Sequence, residues 1–172
     1  VLAGACRKAN ETRAEKAIEN AMEKASGGKA DVDLSGGKIS VKTDEGKADI
    51  DISGNKMTVK TEQGTSEFSA AGGKWPADVP GDVPKLEAGK ITATLRGAQG
   101  EGKTWTIAMS DIEENAYVQY VEKIKAAGYE IITSMSIPDG AITQARKGAA
   151  VINLTFGKNT KTLALTIVTG VE

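Results

Sequence analysis

The sequence has no histidine, a single cysteine and few aromatic residues. Without histidine, the chain lacks the usual general base near neutral pH, the commonest metal ligand and every Ser-His or Cys-His nucleophile pair. A single cysteine excludes an internal disulfide, so the hydrophobic core must supply the stability. Aromatic residues make up 4% of the chain, too few for a roomy aromatic pocket. We therefore expect a protein that is not an enzyme and that uses no cofactor and no metal.

A strong charge of one sign is also missing, since 22 Lys and Arg stand against 23 Asp and Glu. Such a chain has no broad positive field, so we expect no binding to nucleic acid. The composition, 40% hydrophobic and 26% charged, is typical of a folded globular protein. A length of 172 residues fits one domain or two small ones, and the 20 glycines indicate many short strands and tight turns.

The first residues, Val-Leu-Ala-Gly-Ala-Cys, resemble the end of a bacterial lipoprotein signal peptide. Ala3 and Ala5 occupy the small-residue positions before the cleavage site, and Cys6 is the first residue after it. A thiol there can carry a diacylglycerol, and several acyl chains at about 0.8 kcal/mol per buried methylene form a firm anchor. We therefore predict a lipid on Cys6 within the segment 1–10. The alternatives are an ordinary terminal cysteine or a secreted chain whose mature start is Val1.

An 18-residue repeat follows a predicted amphipathic helix over 11–25. The stretch that begins at Ala30 recurs from Ala48, and each copy alternates apolar and polar residues around a glycine turn. This pattern predicts consecutive hairpins and, over 11–71, a helix followed by a five-stranded antiparallel meander. Two-residue turns would pair Leu34 with Ile39, Val32 with Val41, Val41 with Ile50, and Ile50 with Val59.

The two faces of this meander differ in character. One face is predicted to carry the apolar row Val32, Val41, Ile50, Val59 and Phe68, and the other the charged row Asp31, Lys42, Asp49, Lys60 and Glu67. Paired aspartates such as Asp31 and Asp33 could suggest calcium. Because strands lie about 4.8 Å apart, the aspartates of successive repeats do not converge. We therefore favour a ladder of cross-strand charge pairs over a metal site. The two edges of the meander could add a strand from a partner.

Three of the four prolines lie in the segment 72–89, which we interpret as an extended, proline-rich hinge. Trp75, Val79 and Val83 are apolar enough to dock this segment onto a surface as a strap. The alternative for Trp75 is an aromatic residue that binds a ligand. The order of Cys6, a polar helix, the glycine-turn repeat and the Trp-Pro and Val-Pro pairs resembles a group of uncharacterised bacterial lipoproteins. That resemblance, over about residues 1–90, implies export and anchoring to the envelope but no activity.

The remainder, 90–172, is predicted to be an α+β domain. A hairpin with Ile91, Ala93 and Leu95 facing inward precedes a helix that a capping box, Ser110 with Glu113, would open. Four strands follow. The predicted fold class is therefore α+β: an N-terminal helix with a five-stranded antiparallel meander, a proline-rich hinge, and a ββαββββ antiparallel sheet with one packed helix.

Two functional hypotheses follow from these observations. The first is a non-catalytic, exported envelope lipoprotein that acts as a protein-binding or assembly module, attached to the membrane through Cys6. Its partner would be an envelope protein or a second copy. The residues singled out for partner binding are Asp31, Asp33, Lys42, Asp49, Lys60, Glu67 and Trp75. The alternative is a self-assembling extracellular subunit, of the filament or surface-layer type, that uses strand addition.

Overall fold

The structure, a computed structural model, describes residues 30–35, 38–43, 46–70 and 73–170, together with Lys16 and Asn20. Lys16 and Asn20 are helical and exposed. The rest of the predicted helix 11–25 and the segment 1–10 with Cys6 lie outside the described residues. Lipid attachment at Cys6 therefore stays a prediction.

Two compact units divide the chain, Val1–Glu67 and Phe68–Glu172. Their strands, within the described ranges, are β1 (Ala30–Ser35), β2 (Lys38–Thr43), β3 (Gly46–Ser53), β4 (Lys56–Thr61), β5 (Gly64–Ala70), β6 (Lys90–Gln99), β7 (Gly102–Ser110), β8 (Glu130–Ile137), β9 (Gly140–Lys147), β10 (Ala150–Gly157) and β11 (Thr162–Thr169). The helix of the second unit, Glu114–Ala126, lies between β7 and β8. Strand β5 crosses the boundary between the units.

The predicted α+β fold class is wrong. The described chain is 60% strand and 11% helix, almost entirely antiparallel β. The physical reason is that short turns join most strands directly, so one 13-residue helix covers part of a sheet without forming a helical layer of its own. The fold class therefore follows from the alternation of apolar and polar residues in the strands, and not from the amphipathic pattern of the helix.

The first unit contains the predicted meander, with the strand order β1-β2-β3-β4-β5. The pairs Leu34–Ile39, Val32–Val41 and Ile50–Val59 are confirmed. The pair Val41–Ile50 is wrong, because Val41 lies opposite Ala48. Strand β3 starts one residue earlier than predicted, at Gly46, whose φ of 136° suits a glycine. A shift of one residue on each strand keeps every side chain on its predicted face.

The second unit is a sheet with the order β6-β7-β11-β10-β9-β8. The helix packs on one face and buries Tyr117, Tyr120 and Ile124 against it. The central strands supply the fully buried residues Ile107, Ile152, Leu154, Leu165 and Ile167. Alternate residues point to the opposite face, which we call the outer face. The core of this unit therefore lies between the helix and the sheet.

A strap, residues 73–89, closes the core beside the helix. Its buried apolar side chains are Val79, Val83 and Leu86. The prediction of a fully extended segment is wrong. Val79 N donates to Pro76 O (3.3 Å) and Val83 N donates to Pro80 O (3.0 Å), so the segment contains two turns. Polar contacts also join it to the rest of the unit. Trp105 Nε1 donates to Asp78 Oδ2 (3.1 Å), Arg96 Nη1 lies 3.3 Å from Asp78 Oδ1, Tyr120 Oη donates to Pro84 O (2.9 Å), and Lys147 Nζ lies 3.0 Å from Asp82 Oδ2.

A β-bulge corrects the predicted inward set of the hairpin. The register between β6 and β7 shifts between Ile91 and Ala93. Beyond a bulge the alternation changes phase, so Thr94 is buried while Leu95, predicted to face inward, is 44% exposed. Leu95 therefore belongs to the outer face.

The helix does not begin with the predicted capping box. Ser110 is the last residue of β7, and the N-cap is Glu113, which makes no side-chain capping hydrogen bond. The Glu113 carboxylate instead accepts a hydrogen bond from Lys161 Nζ at 2.7 Å, and this contact raises the pKa of Lys161. The start of the helix is thus tied to the loop before β11.

A buried hydroxyl pair links the helix to the sheet and yields a stability prediction. Tyr117 Oη and Thr143 Oγ1 lie 2.6 Å apart, and both residues are buried. Thr143→Val leaves the tyrosine hydroxyl buried without its partner, so we expect urea unfolding to show a loss of about 1.5 kcal/mol. Adding Tyr117→Phe should then cost little more, because both polar partners are gone. Losses that simply add in the double variant would contradict this coupling.

Candidate binding surfaces

The charged face of the meander contains most of the residues that the sequence singled out. Asp31 lies opposite Lys42, and Asp49 lies opposite Lys60. Asp33 is opposite Ser40, whose hydroxyl donates to the Asp49 carboxylate. The strands thus place these side chains in staggered cross-strand pairs.

The ladder differs from the predicted row at its second step. Lys42 lies opposite Lys47, because β3 begins earlier than expected, and Lys47 Nζ lies 2.9 Å from Asp49 on the same strand. Hydrogen bonds from Ser40 and Lys47 hold the pKa of the Asp49 carboxyl below its ordinary value. Exposed pairs of this kind contribute little to stability, so the face is a solvated, charged surface.

A shallow depression of about 470 Å³ lies on this charged face. Asp33, Asp49 and Asp51 contribute carboxylates, and Lys38 and Lys60 contribute ammonium groups. Lys38 Nζ is 3.4 Å from Asp51 Oδ2, so neighbouring side chains already balance the charge. Among the described residues, no three acidic or cysteine side chains converge in a group able to hold a metal ion.

Glu67 and Trp75 lie away from this depression. The Glu67 carboxylate is 4.0 Å from Lys56 Nζ of the neighbouring strand. Trp75 packs, partly buried, against the core of the second unit. It also lines an open groove of about 890 Å³ between the strap and the β6–β7 hairpin, together with Leu86, Met109 and the lysines Lys74, Lys85 and Lys90.

The most exposed apolar surface lies on β8 and β9, at one end of the second unit's sheet. Four of the nine large hydrophobic residues exposed in the described chain are found there: Ile132, Met135, Ile137 and Ile142. Met135 lies directly opposite Ile142 on the outer face. We call these four residues the edge patch. Strand β8 ends the strand order, so its outer backbone edge faces away from β9.

The sequence analysis did not identify this patch. Its signal is the run Ile131–Ile137, in which no residue is charged, between Glu130 and Asp139. The period of two is broken there, because the register between β8 and β9 shifts between Ile131 and Thr133. That bulge puts Met135 and Ile137 on the outer face, and it has no local signature in the sequence.

Comparison of the chain with protein-family models, curated proteins and solved structures gives no match. Within the part of the chain that the structure describes, no helix has both the length and the apolar character needed to cross a membrane. Function must therefore be argued from the surfaces themselves.

Proposed function

We propose that this chain is an exported, non-catalytic envelope lipoprotein that acts as a protein-binding or assembly module. The observation that carries the binding role is the edge patch, where apolar side chains flank a strand edge. Exposed apolar side chains that gather on two paired strands are typical of protein interaction sites. The anchoring role is supported by the pattern of residues 1–6, which resembles a lipoprotein cleavage site.

The binding mechanism is strand addition. An extended segment of the partner pairs its backbone with the outer edge of β8, and its side chains contact the edge patch. Backbone hydrogen bonds supply affinity for any extended segment, whereas Met135 and Ile142 favour an apolar side chain on the outer face. Each cross-strand pair contributes about 0.2 to 1 kcal/mol. The helix and core behind β9 and β10 keep this edge in place.

Anchoring is tested by intact-mass spectrometry of the protein extracted from envelopes of a bacterial host. We expect a chain that begins at Cys6 and carries the mass of several acyl chains, and we expect Cys6→Ser to move the protein from the membrane fraction to the soluble fraction. Val118→Ser, an exposed change on the helix, should leave the protein in the membrane fraction. An unmodified chain that begins at Val1 would contradict the anchor.

A further inference from the structure

The outer edge of β8 lacks the usual devices that keep strand edges apart. Natural edges carry charge, proline or bulges, yet Ile131–Ile137 contains neither a charged residue nor a proline. The bulge lies at the beginning of the strand, and Thr133–Ile137 pairs with β9 in regular register. By contrast β1, which ends the strand order of the first unit, carries Asp31 and Asp33.

The regular part of β8 has a simple two-sided pattern. Thr133, Met135 and Ile137 point to the outer face, since they lie opposite Gln144, Ile142 and Gly140. Ser134 and Ser136 point to the helix side, because Ser134 lies opposite the buried Thr143. The strand therefore offers an apolar face and a hydroxyl face to whatever pairs with it.

We propose that β8 pairs antiparallel with β8 of a second copy, about a two-fold axis that passes midway between the two Met135 residues. This inference rests on the proposed function, because it names the partner of the same edge. In this register Met135 meets Met135 of the second copy, Thr133 meets Ile137, and Ser134 meets Ser136. Every pair joins residues of the same face, as an antiparallel ladder requires.

The absence of charged residues in the paired segment of β8 favours a second copy over an acidic or basic partner. A strand without charge gains nothing from a charged segment, and two copies of it place no like charges opposite each other. The acidic residues Glu130 and Asp139 stand at the ends, outside the paired segment. On the outer face the two Met135 side chains lie between the two Ile142 side chains, forming one apolar strip across the interface. A two-fold contact of this type closes after two copies, so it produces a dimer and uses up the edge.

The interface is small, because one pair of strands buries less area than a stable complex needs. We therefore expect weak pairing of the free chain in solution. Anchoring both copies to one membrane would raise their effective concentration and strengthen the dimer without any new contact.

Disulfide trapping in the full chain tests this register. In a Cys6→Ser background, Met135→Cys places two thiols opposite each other, with Cβ atoms about 4.5 to 5.5 Å apart, close to disulfide distance. Val118→Cys is the matched control, since Val118 is 51% exposed and Met135 is 50% exposed. We expect Met135→Cys to form covalent dimers at least ~10-fold faster than Val118→Cys.

A mixed reaction checks the axis. Thr133→Cys chains should cross-link to Ile137→Cys chains faster than either cross-links to itself, because the axis pairs residue 133 with residue 137. Faster self-cross-linking of Ile137→Cys would overturn the register, and equal rates for Met135→Cys and Val118→Cys would overturn the pairing.

Sedimentation of the otherwise unchanged Cys6→Ser chain gives a second measurement. We expect concentration-dependent dimers that Met135→Lys weakens by at least ~10-fold, because it places two ammonium groups on the axis, while Val118→Lys leaves them unchanged. A chain that stays monomeric at about 0.5 mM would overturn self-pairing. That outcome would exclude a second copy as the partner of this edge, and it would leave the lipid anchor unaffected, because both experiments use a chain without Cys6.

Discussion

Replacing Leu165 with alanine is expected to destabilise the second unit by about 3 to 4 kcal/mol. Leu165 is fully buried on β11, between Ile107 of β7 and Leu154 of β10, which are also fully buried. Tightly packed neighbours on both sides prevent the site from collapsing onto the smaller side chain, so a cavity remains. For a unit of this size the midpoint of thermal unfolding should fall by roughly 15 °C.

Tryptophan fluorescence reports this unfolding selectively, because the two tryptophans, Trp75 and Trp105, both lie in the second unit. The matched control is Leu95→Ala, which removes the same atoms from a side chain on the outer face. We expect that control to cost less than about 1 kcal/mol. Equal losses for the two variants would show that the core is not where the structure puts it.

Gly140→Ala is the second substitution with a large expected effect. Gly140 opens β9 directly opposite Gly157 of β10. A methyl group on Gly140 would overlap the carbonyl oxygen of Phe156 and stand 2.9 Å from its carbonyl carbon. Those atoms belong to the backbone, so the strand itself must shift, and we expect a loss of about 2 to 3 kcal/mol.

Gly81→Ala provides the control for this prediction. Apart from its two chain neighbours, no described residue has an atom within 4 Å of the position that its methyl group would occupy, so urea unfolding should show almost no change. A Gly140→Ala variant as stable as Gly81→Ala would mean that β9 and β10 are farther apart at this end than the structure indicates.

Much of the meander could be predicted from its sequence, because each glycine turn limits the register of the strands beside it. The registers of β1 with β2 and of β3 with β4 were predicted correctly, whereas β3 begins one residue earlier than expected. A two-residue turn can move by one position without exposing an apolar side chain, so alternation alone could not decide between the two registers.

The two bulges explain the errors in which face of the sheet the side chains of β6 and β8 occupy. They reverse the alternation after Ile91 and after Ile131, so Leu95 was assigned to the core and the edge patch was missed. The position of β8 was also hidden, because neighbours in sequence usually pair, yet β7 pairs with β11. The charged residues from Asp31 to Lys60 could be predicted because they belong to the 18-residue repeat. The edge patch on β8 and β9 lies outside that repeat, so the repeat gave no sign of it.

The central position of β11 governs when the second unit can fold. Thr106 and Thr166 are 60 residues apart in sequence, yet their Oγ1 atoms form a hydrogen bond of 3.3 Å between β7 and β11. Such distant pairing has a high loop-closure cost and slows folding. A chain made from its N-terminus would expose the β6–β7 hairpin and the helix until Leu163 to Ile167 emerge. This unit must therefore fold after synthesis of β11, and chaperones would meet its apolar faces before then.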